Sequence, residues 1–379
     1  MSIINCIYRI DLSPLICYFN SIYVVISMNF KPNAAATVIG SFPHVVPADA
    51  CRLVFDSLPE IPAWPQLPRR DFLEDMNAQF SMRLPCIHVD FANKKIGFDT
   101  SRDLAGELER FYTRIIEDDV EYFGLDAPHA AGFGCFIDTL RAKKPAGILA
   151  LKGQTTGPLT LGLMTDSTDG KYALYKPDLF DAIVKSCSMN ARWQVRVMNE
   201  FSVPVVVSFD EPSLSIIGSG FYSVDKSLVS GSFKEIIQAI HNESGLAATH
   251  CCGNADWDDL LDPFLDLDII NFDATDDIVA DKFVNARNVV GYLKSGKCIA
   301  WGIVPTLKDK IENATPEGVE QNFHAVIKKL SRRGIREDDI LERSIITPSC
   351  GTGTLPLPLA EKAMALLKGL SLRLKGLFT

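Results

Sequence analysis

The residues best suited to chemistry lie in the stretch Ala248-Thr249-His250-Cys251-Cys252-Gly253. An imidazole stands two residues from a thiol, with a second thiol between them. Along an extended segment, side chains at i and i+2 point the same way, so His250 and Cys252 can face one ion while Cys251 faces away. Two other stretches are placed to converge on them: Asp273 closes the apolar run 268–272, and Cys350 follows Ile345-Ile346-Thr347-Pro348-Ser349. One imidazole, two thiols and a carboxylate make a tetrahedral donor set for zinc, softer than magnesium or calcium prefers. Taken singly, a His-x-Cys at a strand end is also what a buried histidine beside a structural thiol looks like.

Such a set needs elements that bring distant stretches to one place. Short aliphatic and β-branched runs at 36–41, 147–152, 203–209, 247–250, 268–272, 298–303 and 344–347 read as strands buried on both faces. Helical patterns fall between them, at 101–119, 176–201, 232–243, 316–333 and 358–375. This alternation predicts an α/β fold, a (β/α)8 TIM barrel, with its remaining strand near the proline-broken stretch 64–98. Within that stretch, 87–91 and 95–98 pair as a hairpin around Ala92-Asn93-Lys94, an insertion over one barrel mouth. A doubly wound sheet would want a glycine-rich phosphate turn after its first strand, and Gly40-Ser41-Phe42-Pro43 is not one. On this reading Ser41, Lys152, Asp210, His250, Asp273, Gly302 and Cys350 all fall at carboxyl ends of strands, the active-site face of a barrel.

The totals suit an ordinary globular chain of 379 residues, 47% apolar and 22% charged, and we read 28–379 as one domain. A formal charge of -9 with no basic stripe excludes nucleic acid as a partner. Ten cysteines without disulfide-scaffold spacing point to reduced thiols and a cytoplasmic protein. Residues 1–27 form an extension whose place in the native protein the sequence leaves open. Its apolar stretch 14–26 has only Arg9 ahead of it, is interrupted by Asn20 and is short for a membrane span, so a membrane is not expected. The folded protein is expected to begin near Met28.

Five motifs occur together and in order: Ile39-Gly40-Ser41-Phe42-Pro43, Lys152-Gly153-Gln154-Thr155-Thr156-Gly157-Pro158, Asp210-Glu211-Pro212, His250-Cys251-Cys252 and Ser349-Cys350-Gly351. As a set they resemble the catalytic C-terminal barrel of cobalamin-independent methionine synthase, within the superfamily that also holds uroporphyrinogen decarboxylase and corrinoid-dependent thiol methyltransferases. The resemblance runs from about Thr37 to about Leu355. It implies one zinc per chain, held by His250, Cys252, Asp273 and Cys350, with Asp273 one methylene shorter than the family's glutamate. It also implies an amino-acid grip at Ser41, with Ile39 and Gly40 beside it, and at Asp210. The family's further acidic residue has no matching motif here; Glu74, in Phe72-Leu73-Glu74-Asp75-Met76, is the candidate counterpart. The sequence has no room for the family's second, N-terminal barrel. It therefore resembles the short core-only form, associated with a methylated corrinoid donor such as methylcobalamin rather than 5-methyltetrahydrofolate. Pro348-Ser349-Cys350-Gly351-Thr352 departs from the family's usual Asp-Cys-Gly-Leu-Lys, which leaves the acceptor open.

The implied chemistry is methyl transfer to sulfur, with homocysteine giving methionine. A free thiol is mostly protonated at neutral pH and a weak nucleophile in that form. Two cysteinates and a carboxylate around zinc form an electron-rich shell that keeps a substrate thiolate reactive. Asp210 would pair with a substrate ammonium and Ser41 with its carboxylate, fixing the thiol for attack. His129 could also face the mouth. Alternatives are another thiol acceptor, a corrinoid protein as partner in place of a free donor, and a metal-free decarboxylase relative. That last chemistry wants arginines rather than a His-Cys-Cys set. Asp210-Glu211-Pro212 could instead cap a helix or shape a turn, and Cys86, Cys135, Cys187, Cys251 and Cys298 read as packed core.

Overall fold

A computed structural model of the protein describes residues 30–143, 145–217 and 222–376. The extension 1–27 and the expected start at Met28 lie outside the described residues. Ten strands are present among the described residues: β1 (Ala35–Ala36), β2 (Ile87–Asp90), β3 (Lys95–Phe98), β4 (Leu151–Thr156), β5 (Asp166–Ser167), β6 (Val205–Asp210), β7 (Leu246–Cys251), β8 (Ile269–Asp273), β9 (Cys298–Val304) and β10 (Ser344–Pro348). Seven of them form one parallel sheet in the order β1-β10-β9-β8-β7-β6-β4.

The apolar runs form this sheet because every residue of β4, β6, β7, β9 and β10 is buried, which a parallel sheet covered on both faces requires. The two-residue period divides the side chains into two cores. Ala35, Val206, Ala248, Ile269, Ala300 and Ile345 form an inner cluster, enclosed by the curl of the sheet. Val207, Ile270, Trp301 and Ile346 belong to a larger outer core under the helices. On that outer side Phe272 stacks on Phe283 with ring centroids 4.0 Å apart, fixing β8 from behind.

Both edges of the sheet bond to the same proline-broken stretch. Gln66 N donates to Gly40 O (2.9 Å) and Phe42 N to Gln66 O (2.8 Å), while Trp64 N donates to Lys152 O (3.2 Å) and Lys152 N to Pro62 O (3.0 Å). Ile61 joins the inner cluster. Pro62 and Pro65 have no N–H to donate, so the stretch makes scattered bonds instead of a regular ladder. That is why its strand character is faint in the sequence.

The helices fall near their expected places, at Leu104–Ile116, Pro177–Met198, Lys226–Asn242, Pro316–Ser331 and Leu357–Leu374. Their signals are local. Before Pro316, for example, Thr315 Oγ1 accepts from Gly318 N (3.1 Å), and proline supplies the first helical position. The expected hairpin also forms, β2 pairing with β3 in the register Ile87↔Phe98 and β3 adding β5 in parallel. No described helix is long and apolar enough to cross a membrane.

Two strands differ from expectation. The first is reduced to Ala35–Ala36 in the ladder; Thr37 N still donates to Ile346 O (2.9 Å), and by Ser41 the chain bridges to Gln66 instead. The run expected at 147–152 is displaced to Leu151–Thr156, since Gly147 sits in a turn with φ +82°. Lys152 is therefore the second residue of β4 and not at its carboxyl end, and Gly302 lies inside β9.

Candidate metal centre

Alternation along β7 turns His250 inward and Thr249 and Cys251 outward. Cys251 is buried in the outer core, and burial raises its thiol to about 12, as an inert packed cysteine requires. Cys252 lies one residue past β7 and Cys350 two past β10. The turn bearing Cys350 is held by Ser349 N donating to Val304 O (2.8 Å) and by Thr352, whose N and Oγ1 both donate to Ser41 O (2.9 and 2.8 Å). Gly353 N reaches Ser41 Oγ at 3.3 Å. Ser41 thus buttresses the Cys350 turn.

One nitrogen of His250 and the sulfurs of Cys252 and Cys350 lie within 4.8 Å of one another. His250 Nδ1 is hydrogen-bonded to Asn271 Oδ1. Its other nitrogen, Nε2, is buried and makes no hydrogen bond. A buried ring nitrogen left unpaired costs about 1–3 kcal/mol, and a metal ion is the partner that two neighbouring sulfurs and one nitrogen would share. The set fits zinc.

The three groups are electrostatically linked. Contact with the Cys350 thiol, and then with His250, pulls Cys252 down to about 4 against the effect of burial. Cys350 moves the opposite way, pushed up by Cys252 and by burial. Burial works to lower the basicity of His250, but Cys252, Asp210 and Asn271 outweigh it and the net direction is up. The cluster holds a thiolate easily and its remaining protons tightly. A divalent cation would displace those protons.

Asp210 ends β6 directly beside His250 in the sheet register. Its Oδ1 accepts from Ser208 Oγ (2.6 Å), and burial raises its carboxyl, opposed by Lys152 and His250. Lys152 is wholly buried, donates from Nζ to Ile39 O (2.7 Å) and is brought down to about 8 by burial, with Asp210 opposing. Ile39, Lys152, Ser208, His250 and Asn271 line an inner cavity of about 20 Å³, room for roughly one water.

Asp273 is not in the three-residue cluster. Its Oδ1 accepts from Thr275 N (2.8 Å) and Thr275 Oγ1 (2.7 Å), a local turn that a short side chain closes readily. Glu74 is fully buried and pairs with Arg70 (2.6 Å). His129 pairs with Asp126 (2.6 Å). Glu211 takes the helix-capping role that its motif allowed: it accepts from Leu159 N (2.9 Å), Thr160 N (2.8 Å) and Thr160 Oγ1 (2.6 Å). Gly157 is required there, since a Cβ would stand 2.2 Å from the Glu211 carboxyl carbon. Sequence reasoning missed Asn271 and Ser208. Both were findable, since each stands two residues before an inward carboxylate on the same strand.

No protein-family model matches the chain, and no curated protein matches it. Among solved structures it is similar to a B12-independent methionine synthase from Shewanella sp. W3-18-1 in complex with selenomethionine, at 16% identity and TM-score 0.42, over 64% of this chain and 67% of that one. A putative vitamin-B12 independent methionine synthase from Listeria monocytogenes is similar at 19% identity and TM-score 0.42, over 64% and 68%. A fungal beta-1,4-galactanase is similar at 13% identity and TM-score 0.37, over 61% and 81%. All of these scores are too low to bear on function, which rests here on the chain's own residues.

Proposed function

We propose that the chain is a zinc-dependent methyltransferase that moves a methyl group to a thiol, with homocysteine giving methionine. The observation that carries this reading is His250, whose buried Nε2 has no hydrogen-bond partner, grouped through one ring nitrogen with the sulfurs of Cys252 and Cys350. His250, Cys252 and Cys350 would hold the ion, and Asp273, which lies outside that cluster, would complete the shell only by moving toward it. Zinc there would supply the positive charge that keeps a substrate thiol deprotonated at neutral pH. The thiol loses its proton, its sulfur forms the new bond to the methyl carbon, and the donor leaves with the electron pair of the broken bond. A methylcorrinoid, free or on a protein partner, or 5-methyltetrahydrofolate would be the donor.

The chain's own groups would orient the acceptor. Asp210, buried next to His250, would take the substrate ammonium, and Ser41, pinned against the Cys350 turn, its carboxylate. In this reading 62–66 serves as the eighth strand of a (β/α)8 barrel whose mouth holds the site, and ten cysteines without disulfide-scaffold spacing favour a cytoplasmic protein.

One observation favours a second acceptor. Lys152 stands within electrostatic reach of Asp210, and its charge weakens that carboxylate's attraction for an ammonium. A thiol lacking an amino group would not depend on it. Trials of homocysteine beside a thiol without an amino group separate the two.

The primary test is zinc per chain in wild type, Cys350→Ala and His250→Ala. The reading expects about one zinc in wild type and sharply less in both variants. A folded, metal-free wild type purified without chelator would overturn it.

A further inference from the structure

Asn271 stands beside His250 in the sheet register, on β8 next to β7. Its amide nitrogen is used twice, donating to Ala300 O (2.8 Å) and to Thr347 Oγ1 (2.7 Å). A backbone carbonyl can only accept, so the end of the amide facing Ala300 is the NH2 group. The oxygen must then face His250. An amide oxygen also only accepts, so His250 Nδ1 carries the proton and Nε2 carries the lone pair. Nε2 is the nitrogen without a partner.

We infer that Asn271 is a positioning residue that fixes His250 as its Nδ1–H tautomer and aims the Nε2 lone pair at the ion. The inference rests on the zinc reading and extends it to a residue outside the ligand set. Groups from three adjacent strands hold the device: Asn271 from β8, Ala300 from β9 and Thr347 from β10. The amide therefore cannot rotate without breaking two bonds at once. It is also neutral. Metal-bound histidines often give their second N–H to a carboxylate; an amide directs the ring equally well and adds no charge to a shell that already has two cysteinates.

Cobalt(II) titration of metal-stripped protein, read by visible absorption, tests this on wild type, Asn271→Leu, Asn271→Asp and Thr249→Val. Removing the acceptor in Asn271→Leu should weaken cobalt binding about 10- to 100-fold. Asn271→Asp keeps an acceptor at Oδ1 and, protonated at Oδ2, a donor toward Ala300, so it should bind within a few-fold of wild type. Thr249→Val removes a buried bond to Phe209 O from the outward face of β7 and should leave cobalt affinity unchanged. Wild-type affinity in Asn271→Leu overturns the inference, as does an Asn271→Asp variant as weak as the leucine one. Should Asn271→Leu not fold, nitrogen NMR of zinc-loaded wild type decides: Nδ1 protonated and Nε2 ligating is expected, and ligation through Nδ1 refutes it. A wild type that takes up no metal counts against the methyl-transfer reading instead. The tautomer can then still be read in the metal-free protein.

Discussion

At the scale of single residues the site depends on close approach as much as on donor identity. Gly351 follows Cys350, and a Cβ at that position would stand 2.1 Å from Ser41 Oγ. Ser41 cannot yield freely, because its carbonyl accepts twice from Thr352 and its hydroxyl meets Gly353 N. Gly351→Ala should therefore displace the turn that aims Cys350. We expect a loss of about 1–3 kcal/mol in stability, the usual size of an overpacking penalty, together with weaker metal binding. Urea melts and a cobalt titration check the two effects separately. Undiminished metal affinity would mean that the turn has more slack than its bonds suggest.

At the scale of elements, the opposite end of the sheet shows how the strands bearing the site are held. Asp268, just before β8, accepts from Ala247 N of β7 (2.9 Å), from His241 Nε2 of helix Lys226–Asn242 (2.8 Å) and from Lys297 Nζ before β9 (2.7 Å). Burial pushes its carboxyl up, but His241 and Lys297 outweigh that and hold it at about 2. A carboxylate depressed in this way stabilises the fold above its unfolded value near 4, and the benefit is lost as pH falls through about 2. The shift corresponds to about 2 kcal/mol at neutral pH. Asp268→Asn should cost roughly that much at pH 7, and the gap from wild type should shrink toward pH 2. A gap equally wide at both pH values, by denaturant titration, would show that the ionised carboxylate is not the source.

At the scale of the whole molecule, the edges of the parallel sheet meet the rest of the fold through Trp64. Its indole is fully buried, and Nε1 donates to Gln194 Oε1 (2.9 Å) on helix Pro177–Met198. Gln194 Nε2 donates in turn to Gln154 O of β4 (2.9 Å). One side chain therefore ties the proline-broken stretch, a sheet edge and the longest described helix together. Trp64→Phe keeps most of the apolar volume but leaves Gln194 Oε1 unsatisfied, for an expected loss of about 1–3 kcal/mol in unfolding free energy. A chemical-denaturation midpoint unchanged from wild type would mean that the joint is carried by backbone bonds alone.

Period and punctuation were readable from the sequence because both are local. Short continuous apolar runs and a 3.6-residue period gave most strands and helices nearly in place, and i, i+2 alternation gave side-chain direction within a strand. The same alternation placed His250 and Cys252 on one side of a strand and Cys251 on the other, and the apolar run before Cys350 placed that residue at the end of another strand of the same sheet. Tertiary structure decided the rest. Whether a carboxylate is free to meet a metal, as expected of Asp273, or a substrate, as expected of Glu74 and Asp210, depends on what else bonds it: Thr275 holds Asp273, Arg70 holds Glu74 and Lys152 faces Asp210 from an adjacent strand. The turn at Gly147 moved Lys152 from the rim into the interior, a change that strand period alone does not encode. Asn271 acquires its direction only from Ala300 and Thr347, residues 29 and 76 positions further along the chain. Side-chain direction along a strand is set by backbone geometry, whereas hydrogen-bond partners across strands are set by the packing of the whole sheet.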